Sequence, residues 1–178
     1  MTMKLIVWLG NPGEEYKKTR HNIWFIMIDT FCDEKNYWPW KFDNNFNAEI
    51  IKIWDTIFCK PQTFMNKSWD AVKKISFFYK INPKDILVLH DEIDLPTWKI
   101  QKKIGGSPAW HNWIKSILAQ LQNSNTFTKI RIWVDRPSLR EQVIERVLEN
   151  FSNGELKEID NKKDVIFWYI DEFIWESN

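Results

Sequence analysis

Apolar positions along this chain follow two rhythms that alternate. "KLIVWL" at 4–9 is a continuous apolar run that stops at "GNPG", 10–13, and reads as a buried strand ended by turn residues. From His21 to about Lys35, the residues Ile23, Phe25, Ile26, Ile28, Phe31 and Cys32 return at helical spacing. "NAEIIKI" and "TIFCK" flank Trp54-Asp55 and predict a hairpin with a two-residue turn. Residues 67–80 predict a helix, with Pro83 shortly after it, and "DILVLHDE" at 85–92 predicts a buried strand running into charge. A helix is expected over 111–122 and a strand at "KIRIWV", 129–134, before helical patterns over 139–151 and 155–176. Strands alternating with helices predict an α/β fold, a three-layer sandwich whose twisted, mixed and largely parallel sheet has helices on both faces. With no linker, repeat or low-complexity segment, the 178 residues are expected to form one domain, 1–178.

In open α/β sheets, ligands bind outside the carboxyl ends of the strands. Asn11 lies just past the first strand, and His90, Asp91 and Glu92 follow "DILVL". His111 and Asn112 join them if their helix starts on the same side. The chain has three histidines, His21, His90 and His111, each in a triplet with Asn or Asp. A single histidine is more often a hydrogen-bonded structural residue than a catalyst. Together with Asp91, however, these offer a base and an orienting carboxylate, the pairing that activates water. No Gly-x-Ser-x-Gly elbow is present and neither Cys32 nor Cys59 sits in a nucleophile motif, so covalent catalysis is not favoured. Metal-binding residue types occur, but without His-Glu-x-x-His or Cys-x-x-Cys spacing. "GNPG" alone is more often a tight turn than a phosphate loop.

Charge narrows the partners. The net charge is +1, so no global field calls for a nucleic acid, and any such partner needs a local patch. Lys99, Lys102, Lys103, Lys115, Arg131 and Arg136 concentrate in one third of the chain, where few acids interrupt 95–134. Such a run is usually a solvated face, but a phosphate-binding surface is the alternative. Two cysteines, no secretory leader and no membrane-length apolar run predict a cytoplasmic protein. On these features alone a hydrolase and an RNA-binding domain both stand.

Five ordered strings are more specific. "KLIVWLGNPGEEYKKTRHNIWF", "KPQTFMNKSWDAV", "FYKINPKDILVLHDEIDLP", "GGSPAWHNWIKSI" and "IRIWVDRP" resemble bacterial peptidyl-tRNA hydrolases over nearly the whole chain, least in 35–50 and beyond 150. The resemblance implies hydrolysis of the ester joining a peptide to the terminal ribose of tRNA, with no metal or cofactor, by a monomer. It implies that His21 is the base, that Asp91 orients it, and that Asn11 helps distinguish blocked from free aminoacyl groups. Tyr16, Phe64, Asn66 and Asn112 match positions that contact the 3′ CCA end. Lys103 and Arg131 match basic positions near the acceptor-stem phosphates. A non-catalytic RNA-binding relative of the same fold would be marked by loss of His21 or Asp91, and both are present.

One departure runs through these strings. The chain has 12 Trp and 5 Gly, where average usage gives roughly twelve Gly. The family pattern implies Gly at Trp8, Trp24, Trp69, Trp98, Trp110, Trp113 and Trp133. Local chemistry agrees at two turns: Trp54-Asp55 suits a Gly-first type II′ turn, and Pro96-Thr97-Trp98 expects Gly third. Overpacking a core costs about 1–3 kcal/mol per site, against a typical total stability of about 5–15 kcal/mol. The expectation is therefore that many of these tryptophans are UGA codons that the source organism reads as glycine. A true Trp-rich variant with compensating cavities is the alternative.

Overall fold

The opening apolar run becomes β1 (Lys4–Trp8), and its residues Leu5 to Trp8 are all buried because covered sheet lies on both sides of it. In this computed structural model, residues 2–64, 67–95, 98–105, 126–134 and 140–176 are described. The elements after β1 are α1 (Ile23–Lys35), β2 (Lys41–Asp43), β3 (Ala48–Ile53), β4 (Thr56–Pro61), α2 (Ser68–Phe78), β5 (Ile86–Glu92), β6 (Ile100–Ile104), β7 (Thr128–Trp133), α3 (Val143–Leu148), α4 (Asn153–Asp160) and α5 (Lys163–Trp175).

The sheet has the order β2-β3-β4-β1-β5-β7-β6. Its centre, β4-β1-β5-β7, is parallel, and antiparallel pairings add β3 and β2 at one edge and β6 at the other. This is the mixed, mostly parallel sheet expected. Alternating side chains feed two cores. Ile6, Trp8, Phe58, Leu87, Leu89, Ile130 and Ile132 pack with α1 and α5 on one face. Leu5, Val7, Ile57, Cys59 and Val88 pack with Ala71, Val72 and Ile75 of α2 on the other.

Two edge strands, β2 "KFD" and β6 "IQKKI", were not expected, since both are short and polar and neither is fully covered. The pattern over 155–176 is divided into α4 and α5 around Asn161 and Lys162, where Asp160-Asn161 has poor helix propensity. The helix expected over 111–122 lies outside the described residues. At the far end of the sheet, Lys4 Nζ donates to the carbonyls of Phe173, Ile174 and Glu176 at 2.6, 3.0 and 2.8 Å. A cation there satisfies the open carbonyl end of α5 and docks the last helix against β1.

Candidate active site

Parallel strands β1 and β5 are neighbours, in register from Leu5↔Ile86 to Trp8↔Leu89, so their carboxyl ends emerge side by side. Asn11, just past β1, and Asp91, near the end of β5, therefore lie at the same end of the sheet. The link from β1 to Asn11 is tight: a Cβ on Gly10 would lie 2.9 Å from the Phe25 ring, so a side chain there would push the loop off α1.

A 3₁₀ turn at Arg20–Asn22 precedes α1, and each of its three residues is held differently. The Arg20 side chain, 4% exposed, pairs with Glu155 at 2.6 Å and donates to the Asn150 carbonyl at 2.7 Å. Its guanidinium lies over Phe151, 5.1 Å from the ring centroid, and its backbone N–H donates to Glu149 at 2.9 Å. The C-terminal segment thus grips the turn from outside. Asn22 bonds the Asn11 backbone from inside. His21, between them, donates from Nδ1 to Asp91 Oδ2 at 2.7 Å, and its side chain remains 20% exposed.

That geometry sets the imidazole's chemistry. Burial pulls its pKa down, while the Asp91 charge and hydrogen bond pull it up by more, leaving it above the ordinary 6.5. With Nδ1 committed to the carboxylate, Nε2 is the nitrogen left to handle a proton. The cysteines offer no rival nucleophile. Burial pushes the Cys32 thiol up to about 12 and raises Cys59 as well. Among the described residues no group of three His, Cys, Asp or Glu side chains could hold a metal ion.

Tyr16 and Phe64 meet edge to face, with ring centroids 6.4 Å apart, and Phe64 is 58% exposed. Asn66, Asn112 and His111 lie outside the described residues. Lys103 and Arg131 sit on paired strands, in the register Gln101↔Arg131 and Lys103↔Lys129. Lys103 is exposed, whereas Arg131 donates from Nη1 to Glu92 at 3.0 Å and from Nη2 to Gln101. Lys102 leaves the basic cluster. It bonds Glu172 and Glu176 at 2.6 and 3.1 Å, acids some seventy residues away that proximity in sequence could not reveal. Lys115 and Arg136 fall outside the described residues. His90 is buried, its Nδ1 donating to the Asp91 carbonyl at 2.7 Å, a structural bond on the opposite face of β5 from Asp91.

Comparison with known proteins bears on the same site. The peptidyl-tRNA hydrolase family model matches residues 5–177. The peptidyl-tRNA hydrolase of Lactobacillus delbrueckii subsp. bulgaricus is 40% identical over 174 residues, covering 97% of this chain and 93% of that protein. That of Mycoplasma mycoides subsp. mycoides is 44% identical over 156 residues, covering 86% and 83%. The crystal structure of peptidyl-tRNA hydrolase from Acinetobacter baumannii superposes with a TM-score of 0.86 at 32% identity, covering 97% of this chain and 88% of that one. A histidine bonded to a carboxylate at the strand ends of a matching fold thus accompanies similarity along nearly the full length, and this chain belongs to the peptidyl-tRNA hydrolase family.

Proposed function

We propose that His21 is the general base in hydrolysis of the ester between peptide and tRNA. The carrying observation is the 2.7 Å bond from His21 Nδ1 to Asp91 in a partly exposed position. His21 Nε2 takes a proton from water as the oxygen attacks the ester carbonyl. The tetrahedral intermediate collapses with cleavage of the carbonyl–ribose oxygen bond, and the imidazolium returns the proton to the ribose oxygen. Asp91 holds the ring in one tautomer and stabilises the imidazolium while it exists. Asn66 and Asn112 supply neutral donors toward the developing oxyanion. Asn11 reads the blocked amine of the substrate.

The Tyr16–Phe64 pair suits stacking of a terminal base of the single-stranded CCA end. Exposed Lys103 and the partly exposed guanidinium of Arg131 suit phosphates of the acceptor stem, contacts that position without reading sequence. The reading uses no metal or cofactor, and takes the chain as a cytoplasmic monomer. No helix among the described residues is long and apolar enough to cross a membrane. His21→Ala should lower peptide release by about 10²- to 10⁴-fold while filter binding of tRNA persists. Near-normal hydrolysis by that variant would remove His21 from the mechanism.

A further inference from the structure

Asn22 is 1% exposed, and its amide spans the backbone of Asn11. Oδ1 accepts from the Asn11 N–H at 2.8 Å, and Nδ2 donates to the Asn11 carbonyl at 2.7 Å. This is the two-point pairing of a strand ladder, made here by a side chain. No other side chain of that size fits the demand. Aspartate would set a second oxygen against a carbonyl, glutamine is one methylene too long, and alanine removes both bonds. The backbone here is glycine-flanked: Asn11-Pro12 lies between Gly10 and Gly13, the latter at φ 119°, so neither flanking side chain packs to hold it.

We propose that Asn22 is a positioning residue that fixes Asn11 against His21 and so sets discrimination for substrates with a blocked amine. The base and the fastener are consecutive residues of one 3₁₀ turn, which Arg20 anchors to the C-terminal segment. Any shift of that turn therefore moves His21 and Asn11 together, and Asn22 makes them one unit. The proposal rests on the reading of Asn11 given above.

Asn22→Asp and Asn22→Ala provide the test, with thermal melting to establish that each is folded and Asn11→Ala as companion. In both Asn22 variants, hydrogen exchange at the Asn11 amide should quicken by about ten- to a hundredfold, the equivalent of one buried backbone bond. The kcat/KM ratio for N-acetyl-aminoacyl-tRNA over the unblocked form should fall by a similar factor. Combining Asn22→Asp with Asn11→Ala should lower that ratio no further than Asn11→Ala alone. Unchanged Asn11 exchange in folded Asn22→Asp, or additive losses in the double variant, would overturn the proposal. An unchanged ratio in Asn11→Ala alone would instead overturn the role given to Asn11, and the exchange measurement would still decide the fastening.

Among the described residues, the non-glycine residues with positive φ are Asn36, Asn47, Trp54, Lys80 and Trp98. Asparagine is at home there, but a bulky side chain is a genuine outlier. Trp54, at φ 48°, opens the two-residue β3–β4 turn, and Trp98, at φ 59°, is wedged against Trp133 with ring centroids 4.8 Å apart. Trp8 and Trp24 are fully buried, yet neither indole N–H has a hydrogen-bond partner among the described residues, where buried indoles ordinarily donate. We infer that the native protein carries glycine at 54 and 98, and that Trp8 and Trp24 have the same origin in UGA codons read as glycine. Peptide mass spectrometry of the protein from its own cells, with the gene's codons at these positions, is the test. Glycine at UGA codons is expected, whereas tryptophan at 54 and 98, or UGG codons there, would overturn the inference.

Discussion

Seventy residues apart in the chain, His21 Nδ1 and Asp91 Oδ2 lie 2.7 Å apart in the fold. The pair pulls in two directions with pH. Because the folded imidazole titrates above 6.5, the pair's stabilisation is fully present below the unfolded value and is lost as pH rises through the folded one. The base must be neutral to accept a proton, so activity rises over the window in which that stabilisation fades. The acid limb of kcat/KM should therefore have its midpoint above 6.5. Asp91→Asn removes the upward pull and leaves the burial, so the midpoint should move to lower pH while the plateau drops by about 10²-fold or more. A midpoint that stays put on Asp91→Asn would show that the limb belongs to another group.

The Lys103 and Arg131 pair should be read out in salt. Removing one phosphate interaction reduces the slope of log K against log salt by roughly 0.7–0.9. Lys103→Ala should take away about one such increment. Arg131→Ala should take away less, since two of its donors already serve Glu92 and Gln101. The rate at saturating tRNA should change little for Lys103→Ala. An unchanged salt slope in the double variant would make this a solvated face.

Arg20 and Glu155 tie the base-bearing turn to α4. The net effect on Glu155 is a lowered pKa: burial raises it, and hydrogen bonds from Ser152 and the charge of Arg20 more than reverse that. Its contribution is present above the unfolded value of 4.5 and is lost as pH falls through the lower folded value. Glu155→Ala takes the carboxylate from a guanidinium that is only 4% exposed and leaves it the Asn150 carbonyl and the Phe151 ring, so it should cost about 1.5–3 kcal/mol at neutral pH. The deficit relative to wild type should shrink below pH 4.5. Chemical denaturation at several pH values checks this, and a deficit independent of pH would mean that poorer packing, not charge, is responsible.

Strands were legible in the sequence where burial is two-sided, because only then does a run such as "KLIVWL" stay apolar without a break. The β3–β4 hairpin was legible from its flanking strands, although the residue at its turn is the wrong type for its φ. β2 and β6 were not, since a partly exposed edge strand carries little hydrophobic signal. Composition and spacing could name His21 and Asp91 but could not join them; only resemblance did that, because their contact depends on the β1–β5 register. Asn22 escaped notice because it acts on backbone atoms, which leave no residue-type pattern. Lys102 misleads for the opposite reason, its acids being supplied by α5 and the residue after it.

Lys129 runs against the usual expectation for a charged residue. Its side chain lies on β7 with Lys103 directly across on β6, and the residue is 3% exposed. Its Nζ sits 5.3 Å from the Phe127 ring centroid. Burial, with Lys103 and Arg131 adding repulsion, lowers its pKa to about 8. A lysine whose folded pKa lies below its unfolded one burdens the fold wherever it is protonated. The burden is full below about pH 8 and eases as pH climbs toward the unfolded value of 10.5. Lys129→Met keeps the length and the packing on Phe127 while removing the charge. It should raise stability at pH 7 by about 1–3 kcal/mol, and the gain over wild type should fade between about pH 8 and pH 10.5. A methionine variant less stable than wild type at pH 7 would show that the ammonium stabilises the fold, and that the aromatic ring outweighs burial and repulsion.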